Sequence, residues 1–379
     1  MIRFTKHNAE QAADRLYRFY FGQMQDEICV TMGIPAPPEV AELPPLIDAE
    51  PDDDVVRERD PLSWKGLPLL LEMERRHIQR NLANPDDSLP SMVPVFHFEN
   101  AIETAMLGGK VRFMGTRLHT FGDPLEPLIH GYEQFAWELP REENVWFQRY
   151  LDAYRFMVRE ADGEFALGFQ AGISAMNFVV QLRGTEQAYA DMHEEPDNLK
   201  RLLDYSIDFT VYLHGRVNEI AAAHNRRLYG DHPLAQLGAN PAPRASVDAY
   251  SLCKPGTLRE WGAEQLARFN RLTGGGDLHI HENSRHVIED VVEIPGWRCV
   301  RFTDGPGRPR SFDIRHDLRR RMRNVPIGIR CRKEEFLQAL AERTLPGNTL
   351  YTGFEAESLD EAREIMDKVR DYRAGSGRA

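Results

Sequence analysis

Cysteine is scarce in this chain. Four residues, Cys29, Cys253, Cys299 and Cys331, are spread over 379 positions, and no two form a C-x-x-C pair. That spacing argues against a zinc ribbon and against a disulfide-stapled secreted domain, both of which need clustered thiols. Basic charge is in deficit, with 47 lysines and arginines against 59 aspartates and glutamates and a net charge of −12. Nucleic-acid binding rests on basic surface, so no nucleic-acid partner is expected. The basic cluster Leu318-Arg319-Arg320-Arg321-Met322-Arg323 reads as the solvated face of a helix. No uninterrupted apolar stretch approaches the ~18 residues of a membrane span, and the N-terminus lacks the apolar run of a signal peptide. The cytoplasm is the expected compartment, without membrane contact. Three signatures are missing as well. No G-x-G-x-x-G follows an early strand, Gly274-Gly275-Gly276 is not followed by G-K-[ST], and no G-x-S-x-G occurs. A dinucleotide fold, a phosphate loop and a serine hydrolase therefore lack their fingerprints.

What is present is an alternation of short β-rich runs and amphipathic helices from about residue 90. The hydrophobic share of 42% is ordinary for a globular chain and leaves room for a sizeable core. Apolar spacing predicts a helix over 8–28, with Asn8 as N-cap. Residues 35–62 are rich in proline and acid, including Asp52, Asp53 and Asp54, and read as an extended arm. Strands are expected at 92–98, 164–170, 247–252, 277–281, 297–302, 325–330 and 348–352, with weaker candidates at 111–114 and 226–229. The clearest helix spans 196–223, with Pro196 in its first turn. Others start at Pro255, near Arg285, near Lys333 and near Ser358, the last with an S-x-x-E capping pattern. Repeated strand–helix units imply a parallel sheet. About eight of them favour an α/β fold of the (β/α)8 TIM-barrel type. The expected organisation is an N-terminal helix and proline-rich acidic arm (1–89), a barrel (90–373) and a frayed tail (374–379).

The chemistry concentrates at Asp277-Leu278-His279-Ile280-His281-Glu282, a strand running into a turn. Side chains two apart on a strand share a face, so His279 and His281 point the same way. Catalytic groups of parallel barrels gather at the C-terminal ends of strands. Two imidazoles there suit a divalent metal, with Glu282 as a third ligand, or a proton donor with its partner. The bland alternative is one histidine filling the barrel and the other facing substrate without metal. Other strand ends offer His97, Glu99, Gln170, Asp304 and Thr352 as substrate contacts. Asp248 and Tyr250 share a face if 247–252 is a strand. Asp248 is then the acid/base candidate, and Tyr250 and Gln170 orient the substrate. Each of these taken alone reads more readily as an ordinary cap or loop contact. His214, His224 and Cys253 read as structural.

Taken in order, several segments resemble the uroporphyrinogen decarboxylase superfamily. Gln170-Ala171-Gly172-Ile173-Ser174 and Gln181-Leu182-Arg183-Gly184-Thr185-Glu186 are similar to its Q-G-P segment and L-R-G-x-E helix. Asp191-Met192-His193-Glu194-Glu195-Pro196 resembles its D-L-Y-D-D-P turn, and Lys254-Pro255-Gly256-Thr257-Leu258-Arg259-Glu260 its S-P-E-x-F-R-E helix start. His279-Ile280-His281-Glu282-Asn283 stands where many members have H-x-C-G-N. Glu293-Ile294-Pro295-Gly296 and Tyr351-Thr352-Gly353-Phe354 extend the likeness, which runs from about residue 90 to 372. The resemblance implies one of two activities. Haem-pathway decarboxylation needs no metal or cofactor, but the N-terminal motif R-x-P-x-W-x-M-R-Q-A-G-R that grips substrate carboxylates is absent. Arg57 and Arg59 are a poor substitute. Corrinoid-linked methyl transfer uses zinc held by H-x-C and a later cysteine to activate a thiol. Here His281 replaces the first cysteine and Thr352 the second, leaving a harder donor set. The leading expectation is methyl transfer to or from an oxygen or nitrogen substrate, with zinc or another divalent metal and with corrinoid only through a partner protein. A divergent decarboxylase with a pocket drawn from Arg117, Arg183 and Arg285 is the alternative, and a non-catalytic ligand-binding barrel the third. Partners are a small-molecule substrate and a corrinoid protein, with homodimer formation left open.

Overall fold

The computed structural model describes residues 2–37, 66–94, 101–115, 120–169, 175–236 and 244–375. Most of the expected acidic arm, including Asp52 to Asp54, and the tail from 376 lie outside the described residues. The strands are β1 (Ile28–Val30), β2 (Ser91–Met92), β3 (Val111–Gly115), β4 (Thr120–Pro124), β5 (Ala166–Leu167), β6 (Arg244–Ser246), β7 (Gly276–His281), β8 (Trp297–Thr303), β9 (Ile327–Arg330) and β10 (Thr349–Thr352). Six of them form one parallel sheet in the order β1-β10-β9-β8-β7-β6. β2 and β5 pair in parallel as a second sheet, and β3 and β4 form an antiparallel hairpin. Helices cross between the parallel strands, which gives the α/β architecture expected from the alternation. Among the described residues no ladder joins β1 to β2 or β5 to β6, so the closed cylinder is not part of the observed pairing. The free edge of β1 is instead finished by carboxylates. Val30 N donates to Asp87 Oδ2 at 2.9 Å and Met32 N to Asp86 Oδ2 at 3.0 Å.

Register sorts the six-stranded sheet into two faces. One row contains the apolar residues Ala245, Leu278, Val300, Ile327 and Ile28 together with buried Thr349, and a second contains Ile280, Phe302, Ile329, Tyr351 and Val30. The apolar residues of both rows lie in the main apolar core beneath the helices. The row between them runs Ser246, His279, Arg301, Gly328, Leu350, Cys29. A parallel strand covered by helices on both faces reads as a continuous apolar run. β7 and β8 alternate instead, so their second face looks into a polar interior. One end of that interior is plugged by the N-terminal helix Ala9–Tyr20, whose Phe19 and Tyr20 pack with Cys29, Cys299 and Leu350. Above the plug, Arg301 Nε donates to both oxygens of buried Asp277 at 3.0 and 2.8 Å, and Arg301 Nη2 donates to Tyr20 Oη at 2.9 Å.

Several local expectations shift. The first helix ends at Tyr20, and the short run Ile28-Cys29-Val30 is an edge strand. Asn8 makes no capping bond and donates to the Pro85 and Asp86 carbonyls. The expected strand 247–252 is a 3-10 helix, Asp248–Leu252, and the strand lies just before it. Residues 226–229 are the last turn of the helix Pro196–Tyr229, and 111–114 belongs to the hairpin. The helix expected at Pro255 starts at Thr257, and the one near Arg285 starts at Ile288 behind a 3-10 turn. Ser358 Oγ caps by accepting from Glu361 N, while the Glu361 carboxylate accepts from Glu357 N rather than from Ser358. The basic run is only partly solvated. Arg319 bonds the Asn348, Arg323 and Val325 carbonyls, and Arg321 pairs with Glu289. Among the described residues no helix is long and apolar enough to cross a membrane.

His214 sits on the long helix, edge-on to Phe169 at 5.0 Å, and its Nε2 accepts from Asn218 Nδ2 at 3.2 Å. Burial pushes its pKa down to about 4 from an ordinary 6.5. The unfolded chain therefore binds a proton that the folded chain refuses between those values. Stability falls as pH drops from about 6.5 toward 4, by up to on the order of 3 kcal/mol. Urea unfolding at pH 7 and pH 4.5 should show this loss, and His214→Phe should flatten it.

Candidate metal centre

Asp248, His279 and His281 converge at the C-terminal ends of β6 and β7, each offering a donor atom within 4.8 Å of the others. β7 aims both imidazoles to one side through its period of two. β6 ends at Ser246, and the 3-10 turn that follows carries Asp248 over the end of β7. Asn177, on the helix Met176–Arg183, fixes that turn. Its Nδ2 donates to Ser246 Oγ at 3.0 Å, and its Oδ1 accepts from Ala249 N at 3.0 Å.

The two Nε2 atoms stand 2.8 Å apart, and His281 Nε2 is 3.8 Å from Asp248 Oδ2. A tetrahedral divalent ion with ~2.0–2.1 Å bonds keeps its donors roughly 3.3 Å apart, between these two separations. One outer nitrogen has an oxygen partner, His279 Nδ1 lying 3.2 Å from Thr303 Oγ1, while His281 Nδ1 faces Glu282 Oε2 across 4.0 Å, too far for a hydrogen bond. A metal-bound histidine characteristically gives its remaining N–H to an oxygen. Both rings thus present Nε2 inward and Nδ1 outward. Without metal, one facing Nε2 must carry the proton shared across 2.8 Å, and an ion displaces it. Burial is the main cause holding the His279 pKa below its ordinary 6.5, with the Asp248 carboxylate opposing. The ring therefore stays neutral, as a ligand must be. Two imidazoles and one carboxylate, with the His281 and Asp248 side chains 42% and 41% exposed, match the ligand set of catalytic zinc rather than closed structural zinc.

Among the residues singled out by sequence, the structure unites His279, His281 and Asp248. Glu282 stands behind His281 and outside the three-donor cluster, its Oε2 buried without a hydrogen-bond partner. Its carboxylate occupies space left by Gly305, where a Cβ would approach Oε1 to 2.0 Å. Tyr250 does not share the face of Asp248. The 3-10 turn buries it, with its hydroxyl against Gly262. Asp304 shapes the following loop by accepting from Arg285 Nη2 at 3.1 Å and Ser311 N at 2.7 Å. Thr352 lies at the mouth end of β10 on the polar face. His97, Glu99, Gln170 and Arg117 lie outside the described residues. Arg183 is tied to Asp191, and Arg285 to Asp304 and the Pro309 carbonyl. Cys253 is half-buried with its pKa raised by burial, and it is not among the clustered donors. Sequence reading missed Asn177 and Thr303. Thr303 was accessible in principle as the residue two beyond Arg301 on one strand face.

If Glu282 orients His281, Glu282→Gln should weaken zinc binding by about 10–100-fold with little change in folding. Competition with a chromogenic chelator reads this directly, and an unchanged constant removes Glu282 from the outer ring.

Over 95% of its length the chain superposes on 98% of a methyltransferase from Methanosarcina mazei, with a TM-score of 0.56 and 11% of residues identical. The likeness is one of fold. No protein-family model matches the chain, and no curated protein does.

Proposed function

We propose that this chain is an enzyme of the uroporphyrinogen decarboxylase superfamily that transfers a methyl group with the help of a divalent ion. The observation that carries the reading is the convergence of Asp248, His279 and His281 at the strand ends, with His279 backed by Thr303 Oγ1 and His281 facing the Glu282 carboxylate at 4.0 Å. The fold likeness to a methyltransferase and the ordered motifs from Gln170 to Phe354 support it. In this reading the parallel strands close into a TIM barrel of the (β/α)8 kind, with β2 and β5 completing the cylinder. His279, His281 and Asp248 hold the ion, and Thr303 and Glu282 fix the rings. When bound, the ion supplies Lewis acidity that makes an oxygen or nitrogen acceptor easier to deprotonate. Asp248 keeps one buried oxygen unpartnered and so has capacity to receive that proton. The methyl group comes from, or goes to, a corrinoid carried by a partner protein. The decarboxylase reading called on Arg183 and Arg285, and both are already engaged with carboxylates and carbonyls.

The experiment combines elemental analysis with turnover. Protein purified without added metal should carry close to one divalent ion and should demethylate methylcobalamin when given a panel of alcohols and amines. Release of carbon dioxide from carboxylated substrates by metal-free protein would instead favour decarboxylation.

A further inference from the structure

On the polar face of the sheet, Arg330 carries a charge that no described residue satisfies. Arg330 ends β9, opposite Thr352 of β10 in the ladder. On its other side the last paired residues are Phe302 and Ile329, so the next step brings Arg330 level with Thr303 of β8, which in turn pairs with His281. His281, Thr303, Arg330 and Thr352 therefore form the outermost row of the face that carries His279 and Arg301. Strands lie ~4.8 Å apart, so about 10 Å separates the backbones of Arg330 and His281.

Arg330 is exposed, and among the described residues it makes no hydrogen bond, ion pair or ring contact. Neighbouring arginines differ in this respect. Arg301 is bound to Asp277, Arg285 to Asp304 and Arg310 to Glu335. The Arg330 stem lies across Gly353, where a Cβ would stand 3.2 Å from Nε, and Gly353 itself holds φ +96°. Both the backbone and the arginine thus favour glycine at 353. The guanidinium offers a planar fork of donors suited to two oxygens of a carboxylate, sulfonate or phosphate. The hydroxyl of Thr352, paired with Arg330 in the ladder, can add a further donor to that group.

We infer that the substrate of the proposed centre carries an oxyanion gripped by Arg330, with its reacting atom across the mouth at Asp248, His279 and His281. The inference rests on the metal-centre reading for the reacting end only. Arg330 is then a specificity residue that fixes one end of the substrate, and an uncharged analogue of similar size binds poorly.

The test uses metal-free full-length protein at low ionic strength, titrated calorimetrically with acetate, methanesulfonate and inorganic phosphate. Wild type should bind at least one of these saturably. Arg330→Met should weaken that binding at least tenfold, and Arg330→Lys should restore part of it. Arg330 is exposed, so its variants should melt with wild type, which thermal denaturation checks. Equal affinity in wild type and Arg330→Met overturns the inference, and so does the absence of saturable binding of all three anions. Retention of metal by His279→Ala overturns the metal centre alone, because anion affinity is read without metal. The preferred anion distinguishes carboxylate, sulfonate and phosphate substrates.

Discussion

His279→Ala should abolish tight binding of a divalent ion. Structural zinc in peptides is worth roughly 10–16 kcal/mol over four ligands, or about 2.5–4 for each, which is roughly 60- to 700-fold in affinity. The loss at His279 should reach the upper end. Its Nε2 is one of three converging donors, and its ring is set by Thr303 Oγ1 at 3.2 Å. Asp248→Asn keeps the shape of the side chain while removing its charge and should cost less. Zinc titration against a competing chelator orders the variants as wild type, Asp248→Asn, His279→Ala. An unchanged affinity in His279→Ala would show that the cluster holds no ion. Acidification should weaken binding in wild type, because ion and proton compete for both Nε2 atoms.

The second large effect is on stability. Asp277→Ala should destabilise the fold by about 3 kcal/mol. Asp277 is buried, with its side chain 1% exposed, and both its oxygens accept from Arg301 Nε. Removing the carboxylate leaves a guanidinium facing Tyr20, which burial holds protonated, and the similarly placed Arg244. Breaking a buried pair costs roughly 3–5 kcal/mol because an uncompensated charge remains. The lower figure applies here, since the Arg301 side chain keeps 27% exposure and so some contact with water. Replacing both partners, as in Asp277→Leu with Arg301→Met, should recover much of the loss. Chemical unfolding of the single and double variants measures it, and additive effects would show that the two residues do not act as a pair.

Much of the architecture was legible in the chain, for reasons particular to each element. β7 through β10 are bounded by glycine and proline and dense in β-branched and aromatic residues, so 277–281, 297–302, 325–330 and 348–352 fall within a residue or two of the observed strands. The pair His279 and His281 was legible because a strand's period of two is a local property. β1 was not, since three apolar residues after a helix carry no period. They become a strand only because β10 offers an open edge. Asp248 and Tyr250 fail differently. The sequence 247–252 alternates like a strand, but the six-stranded sheet ends its pairing at Ser246, and the chain turns over the mouth.

Local rules, then, determined the alternation of strands and helices, the parallel sense of the sheet, and the shared direction of two imidazoles. They could not choose the third donor. Asp248 lies 31 positions before His279, and Glu282 lies directly after His281. Proximity along the chain favours Glu282, whereas proximity in space favours Asp248, because the neighbouring strand β6 delivers it to the end of β7. The unmatched charge of Arg330 is likewise a tertiary property. Whether an arginine is bound or free depends on what the adjoining strands place beside it, and sequence spacing does not encode that.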